Sequence, residues 1–594
     1  MRVILKAVSD SVVMGSAVST ALGSEPDSLA APLPRFFFCY QTFLYLRSEL
    51  AGLMGLFLSC SCFMCQRARQ ACPVGRFCIW RNRWLLSARQ AVIGPPGHFR
   101  LFPEKCVMAP LPFQQSYAAL PERFYASAPL SPAPDPKLIR LNYALAEQLG
   151  LDAQWLASPQ GVAMLSGSAM PEGVDPLSTA YAGHQFGSFN PHLGDGRALL
   201  LGDVQDAQGH VWEVQLKGSG PTPFSRRGDG RAVLGPVLRE YVVSEAMHAL
   251  GIPTTRALAA VKTGMAVLRE TMLPGAVLAR VASSHIRVGT FQYFASRQDL
   301  AGLRILADFA IARHYPQVAQ GPAPYLEFLQ QVIAAQAKLI AQWMLVGFIH
   351  GVMNTDNMAV SGETIDYGPC AFMDQYAPNT VFSFIDERGR YAFTNQPTIA
   401  LWNLTRLAEA LLPLLSEDED EGVALAGQAL EQFGGLFHGA YFAGLRAKLG
   451  LKTQQAKDET FFHALFAQMQ EHQADFTNTF RSLSDERVIA GEYVPDTLEG
   501  MQPWLHQWRQ RLTQEAEEAP AIRAENMRRV NPCYIPRNHL IESMIGTAVN
   551  NDDYTLFEEM LRLTASPYTE QADMARYAQP PQPEERVRYT FCGT

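Results

Sequence analysis

The chain has 594 residues, 48% of them hydrophobic and 18% charged, with a formal net charge of −8. That length exceeds one ordinary domain, and that composition excludes wholesale disorder. The acidic balance also lacks the electrostatic signature of a nucleic-acid binder. Charge and cysteine are unevenly spread, however. Residues 1–107 hold 12 Lys/Arg against 5 Asp/Glu, and seven of the ten cysteines.

Those first 107 residues are rich in Arg and Ser and poor in acids, the balance of a mitochondrial transit peptide. Their most apolar run, Leu50 to Cys65, is 16 residues long, short of the roughly 20 that cross a bilayer. Cys60, Cys62 and Cys65 lack a second, regularly spaced pair, which argues against zinc. Two readings stand: translation begins at Met108, or the segment is a targeting or disordered leader. The start at Met108 is the expectation.

From Met108 onward, residues 108–180 read as a Pro-heavy, loop-rich lead-in with one helical stretch at Leu138–Leu149. Ala198–Val204 and Val211–Leu216 are strand-like runs joined by Gln205 to Gly209, a hairpin pattern. Pro236–Leu250 predicts a helix, with proline suited to the first turn and Gly251 to the stop. A second strand-rich section covers about 253–282. Beyond about 298 the pattern is helical: Leu329, Ile333, Ala337, Ile340 and Met344 share one helix face running toward Gly347. Further helices are expected near 398–415, 421–450, 457–481, 498–518 and 551–563. The expected class is α+β, with a small α/β lobe (108–275) and a larger, mainly helical lobe (276–594).

Four motifs in this body could carry chemistry. Gly194 and Gly196 flank Asp195 in a turn ending at Arg197, where backbone N–H groups and a guanidinium can meet phosphate oxygens. Lys217 ends the returning strand after Val214, Gln215 and Leu216, and can present its ammonium beside that turn. Glu240 shares a helix face with Val237, Tyr241 and Ser244, so its carboxylate can pair with Lys217. Taken singly, each of these also reads as an ordinary turn, strand-end or surface residue. The fourth, His350 to Asn357 followed by Asp366, Tyr367 and Gly368, is the most specific. In this order the four make up the parts of a protein-kinase-like nucleotide site.

One departure is informative. The kinase catalytic aspartate belongs two positions after the loop histidine, where this chain has Val352. A valine accepts no proton, so the fold is either inactive or uses another carboxylate, and Asp356 is the candidate.

The runs Tyr181–Gly187, Asn190–Arg197, Gln215–Arg231, Arg280–Arg287, His350–Asp366 and Asn395–Pro397 resemble those of the selenoprotein O family, protein adenylyltransferases with a pseudokinase fold. The resemblance covers 108–594 and none of 1–107. It implies a two-lobed kinase-like fold that transfers AMP from ATP to protein Ser, Thr or Tyr hydroxyls, with Mg²⁺ or Mn²⁺. Position by position it implies nucleotide binding by Gly194, Gly196, Arg197, Lys217, Asp229, Gly230, Arg280, Arg287 and Asp366. It further implies a Glu240–Lys217 pair, metal binding by Asn357 and Asp366, and Asp356 as proton acceptor. Nothing in the motifs reads the base, so UMP transfer from UTP and a non-catalytic ATP-binding scaffold remain alternatives.

Some members end in a cysteine or selenocysteine pair. This chain has only Cys592 there, so a regulatory disulfide needs Cys370 or Cys533. The body's three cysteines suit a reducing compartment. The expected location is the bacterial cytoplasm, or the mitochondrion if the leader is genuine. The expected partners are protein substrates and a nucleotide, with no nucleic acid, no membrane and a monomeric state.

Overall fold

A computed structural model describes residues 113–591 of the chain. The 1–107 leader, its cysteine group and Cys592 lie outside the described residues. Cys370 and Cys533 are both buried.

The first half is organised by an antiparallel sheet. Its strands are β1 (Tyr125–Ser127), β2 (Lys137–Leu141), β3 (Leu177–Thr179), β6 (Ala198–Gln205), β7 (Val211–Lys217), β8 (Ala232–Val233), β9 (Arg256–Leu268) and β10 (Met272–Ala282). The order is β1-β3-β6-β7-β10-β9-β2, with β8 also on β10. A separate hairpin, β4 (Gly183–Gln185) with β5 (Ser188–Asn190), precedes β6.

Side chains alternate faces along a strand, and here the alternation separates two cores. Val214, Leu216, Val277, Ala279 and Val281 pack with Leu145, Val162 and Leu165 of the short helices Tyr143–Gln148 and Pro159–Leu165, and with Leu149, which caps the first. Ala276 and Leu278 face the other way, onto Val237, Leu238 and Tyr241 of the Leu234–Ala249 helix. That second face also carries polar residues. Gln215 stands opposite Arg280 and Lys217 opposite Leu278 in the β7–β10 register. Polar side chains are therefore delivered toward the helix that bears Glu240.

The second half is mainly helical. It includes Val288–Ala295, Leu300–His314, Pro324–Leu345, Gln396–Leu415 and Glu419–Lys448. The two short strands β11 (Phe348–Ile349) and β12 (Ala371–Phe372) pair antiparallel and clamp both ends of the 350–370 loop. Among the described residues, no helix is long and apolar enough to cross a membrane.

The β6–β7 hairpin, the Leu234–Ala249 helix and the long Pro324–Leu345 helix match their sequence expectations. Others are corrected. Leu138–Leu149 is not one helix: Lys137–Leu141 pairs with β9, and only Tyr143–Gln148 is helical. Asn142 forces the change, its side chain capping the Leu145 amide. The 457–481 helix is two, Asp458–Glu471 and Phe476–Leu483, broken where Gln473 takes a left-handed backbone and Asp475 caps the second. Helices at Pro520–Arg528 and Asn538–Asn551 were not anticipated. Strand β10 also runs across the expected 275/276 boundary, because its pairing with β7 continues to Ala282.

Candidate active site

A cavity of about 780 Å³ opens where the polar face of the sheet meets the 350–370 loop. Gly194, Gly196, Arg197, Lys217, Asp229, Gly230, Arg280, Arg287, Asp356, Asn357 and Asp366 all line it. Glu240 stands behind the wall, 5% exposed, with Oε2 2.6 Å from Lys217 Nζ. The expected nucleotide, metal and proton-acceptor residues are thus brought to one place.

The centre of the cluster is Asp366. Lys217 Nζ and Arg280 Nη1 each lie 2.7 Å from its Oδ1, and Arg287 Nη1 lies 3.5 Å from Oδ2. Burial opposes ionisation of this carboxyl, but Arg280, Lys217 and Arg287 together hold it well below the usual range. Asp366 takes a left-handed backbone, φ 63°, a conformation that aspartate visits more readily than most residues. Its carbonyl accepts from the Gly368 amide at 2.8 Å, closing the turn.

The basic groups are themselves positioned. Arg280 donates from Nε and Nη2 to Gln215 Oε1, at 2.9 and 2.7 Å, and from Nη1 to Glu240 at 3.2 Å. Arg287 stacks over Tyr181 at 4.5 Å, donates to the Asp356 carbonyl, and lies 3.6 Å from Asp195. Asp195 in turn accepts from Thr179 and Gln215. Each guanidinium is pinned on several sides, as a preorganised anion site requires.

The glycine turn works differently from its sequence reading. The Gly194 and Gly196 amides donate to the Tyr181 and Gly194 carbonyls, at 3.0 and 2.9 Å, so both are spent inside the protein. A Cβ on Gly194 would lie 2.3 Å from the Phe224 ring. Glycine is needed there so that the 221–231 loop can close over the turn, and Arg197 is the turn's donor into the cavity. Asp229, on that loop, accepts from the Arg231 amide at 3.0 Å and from Arg269 at 2.7 Å. Gly230 accepts from the Gly220 amide at 3.1 Å.

On the opposite side, Asp356 and Val352 both line the cavity and are each 7% exposed. Burial pushes the Asp356 carboxyl up to about 6, against the hydrogen bond from Gln185. Its Oδ1 is buried without a hydrogen-bond partner among the described residues. Asn357 donates from Nδ2 to the Val352 carbonyl at 3.0 Å, so its carboxamide oxygen is the atom that could hold a metal. His350 does not itself line the cavity. It stacks on Trp343 at 5.4 Å and hydrogen-bonds the Ile365 carbonyl through Nε2 at 2.9 Å. Buried Gln396 bonds Phe348 and His350, giving the Asn395–Pro397 run a loop-anchoring role.

Seven basic and four acidic side chains line this cavity, in a chain whose net charge is −8. A concave site with that excess suits a polyanion such as a nucleoside triphosphate. Residues 107–565 match the family described as protein adenylyltransferase SelO. The chain belongs to that family. A protein nucleotidyltransferase YdiU of Bradyrhizobium sp. (strain ORS 278) is 60% identical over 489 residues, spanning 81% of this chain and 99% of that relative. A protein of the same name from Rhodopseudomonas palustris (strain BisB5) is 59% identical over 488 residues, with the same coverage.

Several SelO-site residues were not individually foreseen: Tyr181, Gln185, Asp195, Gln215, Phe224, Arg226 and Arg269. Six sit inside runs that carried the family resemblance, which was the available signal. Arg269 lies outside them, at the end of β9, and only its bond to Asp229 reveals it.

Proposed function

We propose that this SelO-family chain is a protein adenylyltransferase whose site is a kinase-like cleft, between a nucleotide lobe that runs to the end of β10 at Ala282 and the helical lobe that follows it. The carrying observation is the convergence of Lys217, Arg280 and Arg287 on Asp366 within one cavity that also holds Asp356.

In this reading Arg197, Lys217, Arg280 and Arg287 bind the ATP phosphates, while Asp229 and the two glycine turns shape the pocket. An acceptor Ser, Thr or Tyr oxygen attacks the α-phosphorus and gives its proton to Asp356. The bond from the α-phosphorus to the bridging oxygen breaks, and pyrophosphate leaves. Fixed guanidiniums stabilise the charge that builds on the departing group. Glu240 holds Lys217 and Arg280 in place. The place of Asp356 in the cavity wall, with its carboxyl pushed up to about 6, supports the role of proton acceptor, and Val352 supports the view that the usual kinase base is not in use.

Asn357 and Asp366 offer hard oxygen donors, the set that Mg²⁺ or Mn²⁺ takes when substrate phosphates complete its shell. A bound divalent ion would supply further charge neutralisation for the triphosphate. The bacterial relatives and the body's few cysteines support a cytoplasmic setting.

The test supplies ATP labelled at the α or the γ phosphate, and α-labelled UTP, and follows protein-bound label. Label from α-ATP alone is expected. Label from γ-ATP identifies a kinase, preference for α-UTP a uridylyltransferase, and no label a scaffold.

A further inference from the structure

The Asn354–Asp356 segment is held by a hairpin from far upstream. Three consecutive residues at the β4–β5 turn each donate to it. The His184 amide donates to Thr355 Oγ1 at 2.7 Å, Gln185 Nε2 to Asp356 Oδ2 at 3.0 Å, and the Phe186 amide to Asn354 Oδ1 at 3.0 Å. The outer two bonds use main-chain donors and fix where the loop lies. The middle one uses a side chain and bonds the Asp356 carboxylate itself.

A second observation comes from β4. A Cβ on Gly183 would lie 2.7 Å from Asp356 Oδ1, so the carboxylate packs directly against the hairpin backbone. Gln185 and Asp356 both line the cavity, and Oδ1 is the carboxylate oxygen without a partner among the described residues. A carboxylate turns about its Cβ–Cγ bond unless something holds one oxygen. Oδ1 is enclosed against Gly183, which leaves Oδ2, the oxygen that Gln185 holds, as the one toward the cavity.

We infer that Gln185 is a positioning residue for the transfer reaction: with Oδ1 enclosed against Gly183, Gln185 holds the other oxygen, Oδ2, toward the acceptor hydroxyl in the cavity that both side chains line. The inference rests on the reading of Asp356 as proton acceptor. Gln185 acts only through Asp356, and its amide suits the task because it donates to a carboxylate without adding charge. Methionine has nearly the same length and no donor. Glutamate has the same shape and sets a second negative charge beside the first.

The test compares Gln185→Met and Gln185→Glu with the wild type, following α-labelled ATP into the enzyme itself and into casein. Gln185→Met should lower kcat about ten- to a hundredfold, the effect of one lost hydrogen bond to a charged group. Gln185→Glu should fall further. Affinity for a non-hydrolysable ATP analogue should stay within about twofold, because the nucleotide contacts are untouched, and the thermal midpoint should hold.

Space-filling alone does not produce that order. Wild-type kcat in Gln185→Met, or a loss of nucleotide affinity that matches the loss of kcat, overturns the inference. If Gln185→Met fails to fold, Gln185→Glu decides alone, and wild-type kcat in it is the overturning result. Asp356→Asn, measured alongside, separates the two failures. Wild-type turnover there removes the base assignment and this inference with it. An inactive Asp356→Asn beside two fully active Gln185 variants removes this inference only.

Discussion

Two buried charge clusters share the β7–β10 strand pair, and they behave in opposite ways. One is the site, where Lys217, Arg280 and Arg287 surround Asp366. The other begins four residues earlier on β7, at Glu213, which stands opposite Ala282. Its Oε2 accepts from the His285 amide and meets His285 Nδ1, both at 2.8 Å. Arg313 lies 3.9 Å from Glu213 and 2.7 Å from Asp203.

Burial dominates this second cluster. It pushes the Glu213 carboxyl up to about 8 and His285 well below its ordinary value, so both are neutral at pH 7. Asp366 is 17% exposed at the cavity against 1% for Glu213, and although burial opposes its charge too, three cations keep it ionised. Neither Glu213 nor His285 lines the cavity. Burial of charged residue types is therefore not what marks a site. The marks are convergence of unlike charges on one carboxylate and an opening through which a ligand can enter.

This contrast can be broken by experiment. Asp356→Ala should reduce transfer about a thousandfold, within the range for loss of a general base, with nucleotide binding largely kept. Unchanged turnover in labelled-ATP assays would remove Asp356 from the mechanism. Asp366→Ala should weaken metal-dependent nucleotide binding about a hundredfold, since the cations lose their shared partner. Titration calorimetry with and without Mg²⁺ checks it. Turnover should also fall as the pH drops through about 6, because protonated Asp356 cannot accept the acceptor's proton. A pH–rate profile flat from 5 to 8 would contradict this.

The sealed cluster predicts a stability effect instead. Glu213 holds a proton in the fold that the unfolded chain releases near its ordinary value. Stability is therefore full below that value and declines as pH rises toward about 8. Glu213→Gln should flatten this decline in denaturant titrations and leave turnover unchanged. The smallest effect is expected at the cavity rim. Asp229 is 45% exposed beside Arg269, so Arg269→Ala should cost only about 0.2–1 kcal/mol of stability.

Much of the site was legible before any coordinates. The alternation of Val214, Gln215, Leu216 and Lys217 is enough to set Gln215 and Lys217 on one face of a strand. Spacing in the Leu234–Ala249 helix is enough to set Glu240 on a face with Val237 and Tyr241. Arg280 and Arg287 carried no local signal, and only the family runs pointed to them. Arg269 was invisible, since nothing in its neighbourhood shows that the 221–231 loop folds back onto it. The helix at 138–149 was misplaced because propensity cannot see the β9 edge that recruits Lys137–Leu141.

By itself the sequence determined the order of elements, the periodicities that orient Lys217 and Glu240, the absence of an aspartate at position 352, and membership of the family. These are local or patterned properties, written in neighbouring residues. The tertiary structure decided that Arg280 and Arg287 meet Asp366, that the glycine turn admits Phe224, and that Asp356 keeps one oxygen without a partner. It also decided that Glu213, on the same strand, is sealed away. Such outcomes depend on which distant segments share a low-dielectric space, and no local pattern along the chain encodes that.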